Sequence, residues 1–187
     1  MQVMKNVVVI STSLRGGSNS DMLAKQFVQG ALAAGHEVEY ISLTGKHIEF
    51  CKGCLACLKL GNCVIADDVY SLLQKVQKAD VICWATPVYY YGMSGQMKVI
   101  IDRMNALFAF QYMFREVYLL ATAAEDEADT FSRVESGLMG WIDCFPQCQF
   151  AGKVCCGGVT EPLSVVGHHK LQEAYEMGQS LRVCRLP

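Results

Sequence analysis

Ten consecutive residues near the start of the chain combine hydroxyl groups, glycines and one guanidinium group. The run is Ser11-Thr12-Ser13-Leu14-Arg15-Gly16-Gly17-Ser18-Asn19-Ser20, and it separates an apolar run from a segment with helical periodicity. Free N–H groups at the start of a helix and a dipole worth about half a positive charge favour a bound phosphate, and serine hydroxyls donate to its oxygens. We therefore predict a phosphate site built from Ser13, Arg15, Ser18, Asn19 and Ser20. The alternative is a polar turn in which Ser18 or Ser20 only caps the helix.

A second group of reactive side chains is a run of four cysteines. Cys51, Cys54, Cys57 and Cys63 are separated by two, two and five residues. Four thiolates at this spacing can hold a four-iron four-sulfur cluster, and they also satisfy the tetrahedral preference of zinc. A third interpretation is a loop without metal, because free cysteines pack as small apolar groups. Core packing is the predicted role of the other six cysteines: Cys83, Cys144, Cys148, Cys155, Cys156 and Cys184.

The elements that must position these groups alternate between strands and helices. The β-branched and apolar runs predict five strands, at residues 6–11, 37–42, 80–86, 116–123 and 150–157. Apolar residues at helical spacing lie between them, and Asp67 or Asp68 is the predicted cap of the second helix. Such alternation predicts an α/β fold, a doubly wound five-stranded parallel sheet with helices on both faces, formed by one domain over residues 1–187. Ligands of such sheets bind beyond the carboxyl ends of the strands.

The loop after the third predicted strand carries the most specific motif. It runs Thr86-Pro87-Val88-Tyr89-Tyr90-Tyr91-Gly92-Met93-Ser94-Gly95-Gln96-Met97-Lys98 and continues to Ile101-Asp102-Arg103. This segment resembles the Pro-Val-Tyr loop and following helix of the NAD(P)H-dependent FMN reductase and iron-sulfur flavoprotein family, within the flavodoxin-like superfamily. The first loop resembles the family's Gly-Ser-Pro-Arg…Gly-Asn-Thr pattern at Ser13, Arg15, Asn19 and Ser20, and departs from it at Thr12, Leu14 and Ser18.

The resemblance implies a flavodoxin-like domain that binds FMN and accepts hydride from NAD(P)H. The resemblance also implies that such a domain passes electrons to a small acceptor such as a quinone or a flavin. A proline fixes its own φ and has no N–H, so Pro87 can hold a bend in which neighbouring N–H groups face a planar ring. The predicted ring contacts are Pro87, Val88, Tyr89 and Tyr90, with Thr122 and Ala123 after the fourth strand.

The same resemblance bears on the four cysteines. Iron-sulfur flavoproteins use a compact motif of this kind, whereas other relatives carry a similar segment without metal. The resemblance therefore favours, narrowly, a loop without metal over a four-iron four-sulfur cluster. The alternative function is an iron-sulfur flavoprotein or a flavodoxin-like electron carrier that serves protein partners. A net charge of −2 argues against a carrier of the kind that docks through strong acidity.

Composition limits the classes of partner. The chain has 187 residues, 16 basic and 18 acidic, so it carries no strong field that would attract nucleic acid or an anionic membrane. We expect small-molecule partners, no membrane segment and a cytoplasmic location, where ten cysteines need not form disulfides. Aromatic residues alternate over 108–114. Core packing would explain some of them, but four in one connection favour a partly exposed apolar surface covered by a second subunit. The resemblance likewise implies a homo-oligomer, a dimer or a tetramer.

Overall fold

Five strands pair in parallel in the order β2-β1-β3-β5-β6, with the buried strands β1, β3 and β5 at the centre and the partly exposed β2 and β6 at the edges. The computed structural model describes residues 4–109 and 111–181. The strands are β1 (Asn6–Ser11), β2 (Glu37–Ser42), β3 (Val81–Tyr89), β5 (Glu116–Thr122) and β6 (Gln149–Cys156), and a short β4 (Gly92–Met93) pairs antiparallel with β3. The predicted five-stranded parallel sheet is confirmed.

Six α-helices connect the strands within the described residues. They are α1 (Asn19–Ala33), α2 (Cys57–Leu60), α3 (Val69–Lys78), α4 (Gly95–Arg103), α5 (Ser132–Ile142) and α6 (His169–Gln179), and a 3-10 helix (Met104–Ala109) follows α4. Helices α1 and α6 pack on the face that carries Val7 and Val9, whereas α3, α4 and α5 pack on the face that carries Val8 and Ile10. Successive strand residues point to opposite faces, and helices cover both faces of the central strands, which is why β1, β3 and β5 are mostly apolar. The edge strands β2 and β6 carry polar, exposed residues as well.

Helices α1 and α6 meet through two glycines. A Cβ atom on Gly30 would lie 1.9 Å from the carbonyl oxygen of Tyr175, and one on Gly178 would lie 2.1 Å from that of Phe27. Both distances are far below van der Waals contact, so the two backbones approach as closely as they do only because neither position has a side chain.

Several boundaries differ from the sequence predictions. Strand β3 continues to Tyr89 instead of ending at residue 86, because its last residues pair with β4 across a two-residue turn. The helical spacing of Met97, Ile100, Ile101 and Met104 predicts one helix, but α4 ends at Arg103 and a 3-10 helix begins at Met104. Asp68 is at the cap position of α3 but its side chain makes no capping hydrogen bond, and Asp67 accepts the N–H of Val69 instead.

The aromatic segment after α4 serves the core more than a surface. Phe114 is fully buried and packs on Trp141 and Phe145, and Tyr112 packs on Phe114 and Phe145. Phe108 stacks on Phe145 but stays 45% exposed, and Phe110 lies outside the described residues. The prediction of a covered apolar surface is therefore wrong for Phe114, which the Trp141 and Phe145 rings bury within the chain itself.

The cysteines predicted to pack in the core divide into three groups. Cys83 and Cys156 are buried, Cys148 and Cys155 are half-buried, and Cys144 is exposed because it follows the last turn of α5 on the outer side. Cys184 lies outside the described residues. Within the described part of the chain, no helix has the length and apolar character needed to span a bilayer.

Candidate functional site

A crevice of about 210 Å³ opens at the carboxyl edge of the sheet, where β1, β3 and β5 end. Nine of the eleven predicted cofactor-binding residues line it: Ser13, Arg15, Ser18, Asn19, Pro87, Val88, Tyr89, Thr122 and Ala123. The two predicted residues outside the lining are Ser20, which is fully buried, and Tyr90, which is fully exposed. The topology therefore gathers three loops that are far apart in sequence.

The first loop leads into the N-terminus of α1. Ser18 is the N-cap, and its Oγ accepts the N–H of Asp21 at 3.4 Å and lies 3.1 Å from Oγ of Ser20. The first N–H groups of a helix have no carbonyl partner within it, and Ser18 and Asn19 line the crevice, so the positive end of this 15-residue helix lies beside the crevice. This helix end suits a phosphate group. The two interpretations of Ser18 are compatible, because Ser18 both caps the helix and lines the crevice.

Asn19 has a role that the sequence did not reveal. Its Nδ2 donates to the carbonyl oxygen of Glu161 at 2.9 Å and to Oγ of Ser164 at 3.1 Å, and its Oδ1 accepts the N–H of Val165 at 3.2 Å. The side-chain amide is thus used to hold the segment 159–165 against the start of α1. The backbone N–H of Asn19 is the group that remains as a donor for a ligand.

Arg15 also contacts the segment after β6. Its Nη1 donates to the carbonyl oxygen of Thr160 at 2.7 Å, and its Nη2 lies 3.5 Å from the carboxylate of Glu161. The guanidinium is about half exposed at the mouth of the crevice. It supplies positive charge beside the N-terminus of α1.

The tyrosine loop is a tight hairpin with strained backbone. Tyr90 and Tyr91 form the turn between β3 and β4, with φ of 49° and 64°, a region that side-chain-bearing residues rarely occupy. The hydroxyl of Tyr91 donates to Glu125 at 2.8 Å, and Arg133 lies over its ring at 5.4 Å. The hydrogen bond to Glu125 raises the pKa of Tyr91. Tyr90 is left at the tip with its ring in solvent, while Tyr89 borders the crevice.

Buried hydroxyls connect this edge to α4. Ser94 caps α4 by accepting the N–H of Met97, and its Oγ lies 2.9 Å from Oγ1 of Thr12. Its N–H donates to Oγ1 of Thr86 at 3.1 Å. The ends of β1 and β3 and the start of α4 are therefore held by one buried hydrogen-bonded group.

A loop between β2 and α3 carries the four clustered cysteines. Cys51 and Cys54 are exposed, and Cys57 and Cys63 are half-buried. All four border one small cavity of about 20 Å³, and Nδ2 of Asn105 lies 3.4 Å from Sγ of Cys57. Four thiols suit a soft metal by their chemistry, yet within the described ranges no three His, Cys, Asp or Glu side chains are close enough to share one ion.

Next to this cavity lies a buried ion pair. Nη1 of Arg103 lies 2.7 Å from Oδ2 of Asp67, and both side chains are inaccessible to solvent. Burial would raise the pKa of Asp67, but the hydrogen bonds from Arg103 and from the N–H groups of Glu49 and Val69 outweigh it and hold the pKa below its ordinary value. Asp67 is therefore an ionised partner of Arg103 at neutral pH.

The sequence missed the segment after β6. Val159, Thr160 and Pro162 form one wall of the crevice, and the N–H of Leu163 donates to the carbonyl oxygen of Gly17 at 2.9 Å. The available signal was a turn-forming composition directly after the last strand, at the edge of the sheet where ligands bind.

The strand order and the crevice at the carboxyl edge define a flavodoxin-like α/β protein, because five parallel strands in the order 2-1-3-4-5 are that fold's arrangement once the two-residue β4 is set aside. The model of the NADPH-dependent FMN reductase family matches residues 5–154. The chain belongs to this family, as its motifs predicted.

Individual relatives agree with this membership. An iron-sulfur flavoprotein of Methanocaldococcus jannaschii is 39% identical over 101 residues, which cover 54% of this chain and 52% of that protein. The chain thus spans about half the length of the first curated relatives it matches.

Solved structures share the fold along nearly the whole chain. An NAD(P)H:quinone oxidoreductase from Methanothermobacter marburgensis superposes with a TM-score of 0.73 at 16% identity, over 96% of this chain and all of that one. An FMN-dependent NADH-azoreductase from Bacillus anthracis, solved in complex with FMN, gives 0.68 at 14% identity, over 94% and 99%. At these low sequence identities, the similarity shows that the fold is shared and no more.

Proposed function

We propose that this chain binds FMN in the crevice and works as an oxidoreductase that accepts hydride from NADPH or NADH. Family membership supports the cofactor and the reductant. The observation that carries the proposal is the N-terminus of α1, where Ser18 and the free N–H groups form a phosphate-sized donor set. Bound FMN would supply the hydride and electron chemistry, which belongs to the cofactor rather than to a side chain.

In this proposal the residues of the chain bind the cofactor and orient it. Ser13, Arg15, Ser18, Asn19 and Ser20 are proposed for the phosphate end, with Ser20 acting through its contact with Ser18 and Asn19 through its backbone N–H. Pro87, Val88, Tyr89 and Tyr90 are proposed for the ring end, with Thr122 and Ala123 opposite. A crevice of about 210 Å³ is smaller than the roughly 300–1,000 Å³ of enclosed ligand sites, so an elongated ligand would extend over the tyrosine hairpin.

The finer proposals concern acceptor, assembly and location. A small acceptor such as a quinone or a flavin would use the same open side of the crevice as the reductant. A homo-oligomer is proposed from the exposed aromatic rings of Phe108 and Tyr90. We also propose that residues 1–187 form one FMN-binding domain and that the protein works in the cytoplasm, on the composition grounds given above.

Flavin titration tests the cofactor proposal. Fluorescence quenching of FMN, riboflavin and FAD by the purified protein should give the tightest binding for FMN, because its one phosphate matches the N-terminus of α1 beside the crevice. Equal affinity for riboflavin and FMN would refute the phosphate assignment. Oxidation of NADPH and NADH by the FMN-loaded protein, with a quinone or free flavin as acceptor, then measures turnover.

The second candidate function is that of an iron-sulfur flavoprotein or an electron carrier for protein partners. It is favoured by the clustered thiols of Cys51, Cys54, Cys57 and Cys63 and by a relative named as an iron-sulfur flavoprotein, although no three of these side chains stand close enough to share one ion within the described residues. Anaerobically prepared protein with about four iron and four acid-labile sulfide per chain would establish it, because that is the content of one cluster. Cys54→Ser should then abolish the broad visible absorption and leave flavin binding unchanged. Iron at zero in both proteins would favour the metal-free loop.

A further inference from the structure

The four-cysteine loop is tied down at its base by one arginine. Nη1 of Arg103 donates to the carbonyl oxygen of Glu49 at 2.7 Å, two residues before the first cysteine. Its Nη2 lies 3.4 Å from the carbonyl oxygen of Ile65, two residues after the last one. One planar guanidinium thus contacts the backbone on both sides of the loop.

The carboxylate of Asp67 completes this arrangement. It binds Arg103 through both oxygens, at 2.7 Å and 3.0 Å, so the pair is bidentate. Asp67 also accepts the N–H groups of Glu49 and Val69, at 2.9 Å and 3.1 Å. The entry to the loop at Glu49 and its exit near Asp67 are therefore hydrogen-bonded to each other as well as to Arg103.

The position of Arg103 connects the loop to the crevice. Arg103 is the last residue of α4, and Ser94 at the other end of α4 is hydrogen-bonded to the ends of β1 and β3. Nine helical residues span about 13 Å at a rise of 1.5 Å each. Arg103 also borders the cysteine cavity, and its Nε is a buried N–H without a partner among the described residues.

We propose that Arg103 is the positioning residue of the four-cysteine loop: it holds the loop closed by its base and fixes where the thiols stand relative to the crevice. A buried ion pair of this kind contributes little net stability, because desolvation of both charges offsets their attraction. The contribution of Arg103 is instead to the geometry of the loop. Lysine carries the same charge but lacks the planar guanidinium that contacts two backbone carbonyls and a carboxylate together. The proposal concerns the loop of the second candidate function, yet it applies to metal-free protein.

Thiol labelling of the metal-free full chain tests the proposal. In Arg103→Lys we expect the half-buried Cys57 and Cys63 to react with a maleimide roughly tenfold faster, because labelling follows the open population of the loop. Mass spectrometry of peptides resolves each site. Exposed Cys144 and buried Cys83 should keep their rates, since they report reagent access and global unfolding respectively.

Two further variants keep the test decisive. Arg115→Gln is the matched control, because Arg115 also binds backbone carbonyls, those of Tyr112, Met113 and Phe114, away from the cysteine loop. The double variant Arg103→Gln with Asp67→Asn removes both buried charges, so it avoids leaving one unpaired.

Unchanged rates at Cys57 and Cys63 would overturn the proposal, and so would a parallel rise at Cys83, which would mean that Arg103 only supports global stability. Neither result depends on iron or flavin content, so failure here is distinguishable from failure of the proposed function.

Discussion

The sequence-based prediction and the structure assign different roles to the side chain of Asn19 in the phosphate loop. As a phosphate ligand, its side chain would matter for flavin binding and little for folding. In the structure the amide makes two donor hydrogen bonds, to Glu161 and Ser164, and accepts one from the buried Val165. At about 1 kcal/mol for each hydrogen bond, with a further cost for a buried N–H left unpaired, Asn19→Ala should lower the free energy of unfolding by about 2–4 kcal/mol.

Urea unfolding of the flavin-free protein, followed by circular dichroism, measures this change. For a chain of this size the expected loss corresponds to a decrease in Tm of roughly 4–16 °C. Asn6→Ala is the control, because Asn6 is exposed at the start of β1, and surface substitutions usually change stability by less than about 0.5 kcal/mol. If Asn19→Ala is as stable as this control and loses FMN affinity, the side chain binds phosphate and the structural argument is wrong.

Two further predictions concern packing and pH. Gly30→Ala should lower the free energy of unfolding by about 2–4 kcal/mol, because the new Cβ would overlap the Tyr175 carbonyl oxygen. Gly140→Ala in α5, where a Cβ would meet nothing within 4 Å, should be neutral or stabilising by up to about 1 kcal/mol, and thermal unfolding of both variants measures the difference. Burial, together with the hydrogen bond to Asp21, raises the pKa of Tyr40 to about 12, so Tyr40 stays neutral in the folded protein after the unfolded chain has begun to ionise near pH 10. Stability should therefore fall between pH 10 and 12, by at most about 1.4 kcal/mol per pH unit for this group and less because it is only half-buried, and Tyr40→Phe should lose less over that window in urea titrations; parallel losses would contradict the assignment.

The sheet and most of the crevice could be predicted because local sequence determines them. A short β-branched run such as Asn6–Ser11 favours a strand buried on both faces, and parallel strands place their loops at one edge. The predicted loops at Ser13–Ser18 and Pro87–Tyr89 lie together for that reason.

What could not be predicted depends on contacts between distant segments. The partners of Asn19 lie more than 140 residues further along the chain, and no local pattern marks them. Likewise the sequence predicts only a helix cap for Asp67. Its pairing with Arg103 could not be predicted, because it arises only when α4 packs beside the cysteine loop. Phe114 in an apparently exposed segment is buried by α5 for the same reason.

The wall formed by Val159, Thr160 and Pro162 lies beyond the region that the family model matches, which ends at residue 154. The phosphate end of the crevice lies inside that region, and the wall is held to it by Asn19 and Arg15 through backbone carbonyls, whose position does not depend on the identity of the side chains that follow. Substitutions in the wall can therefore change what enters the crevice while leaving the anchoring of a nucleotide intact. The two halves of the site can therefore be altered independently by mutagenesis: a change of side chain in the wall can reshape the entrance, whereas the loop that leads into α1 keeps its own contacts.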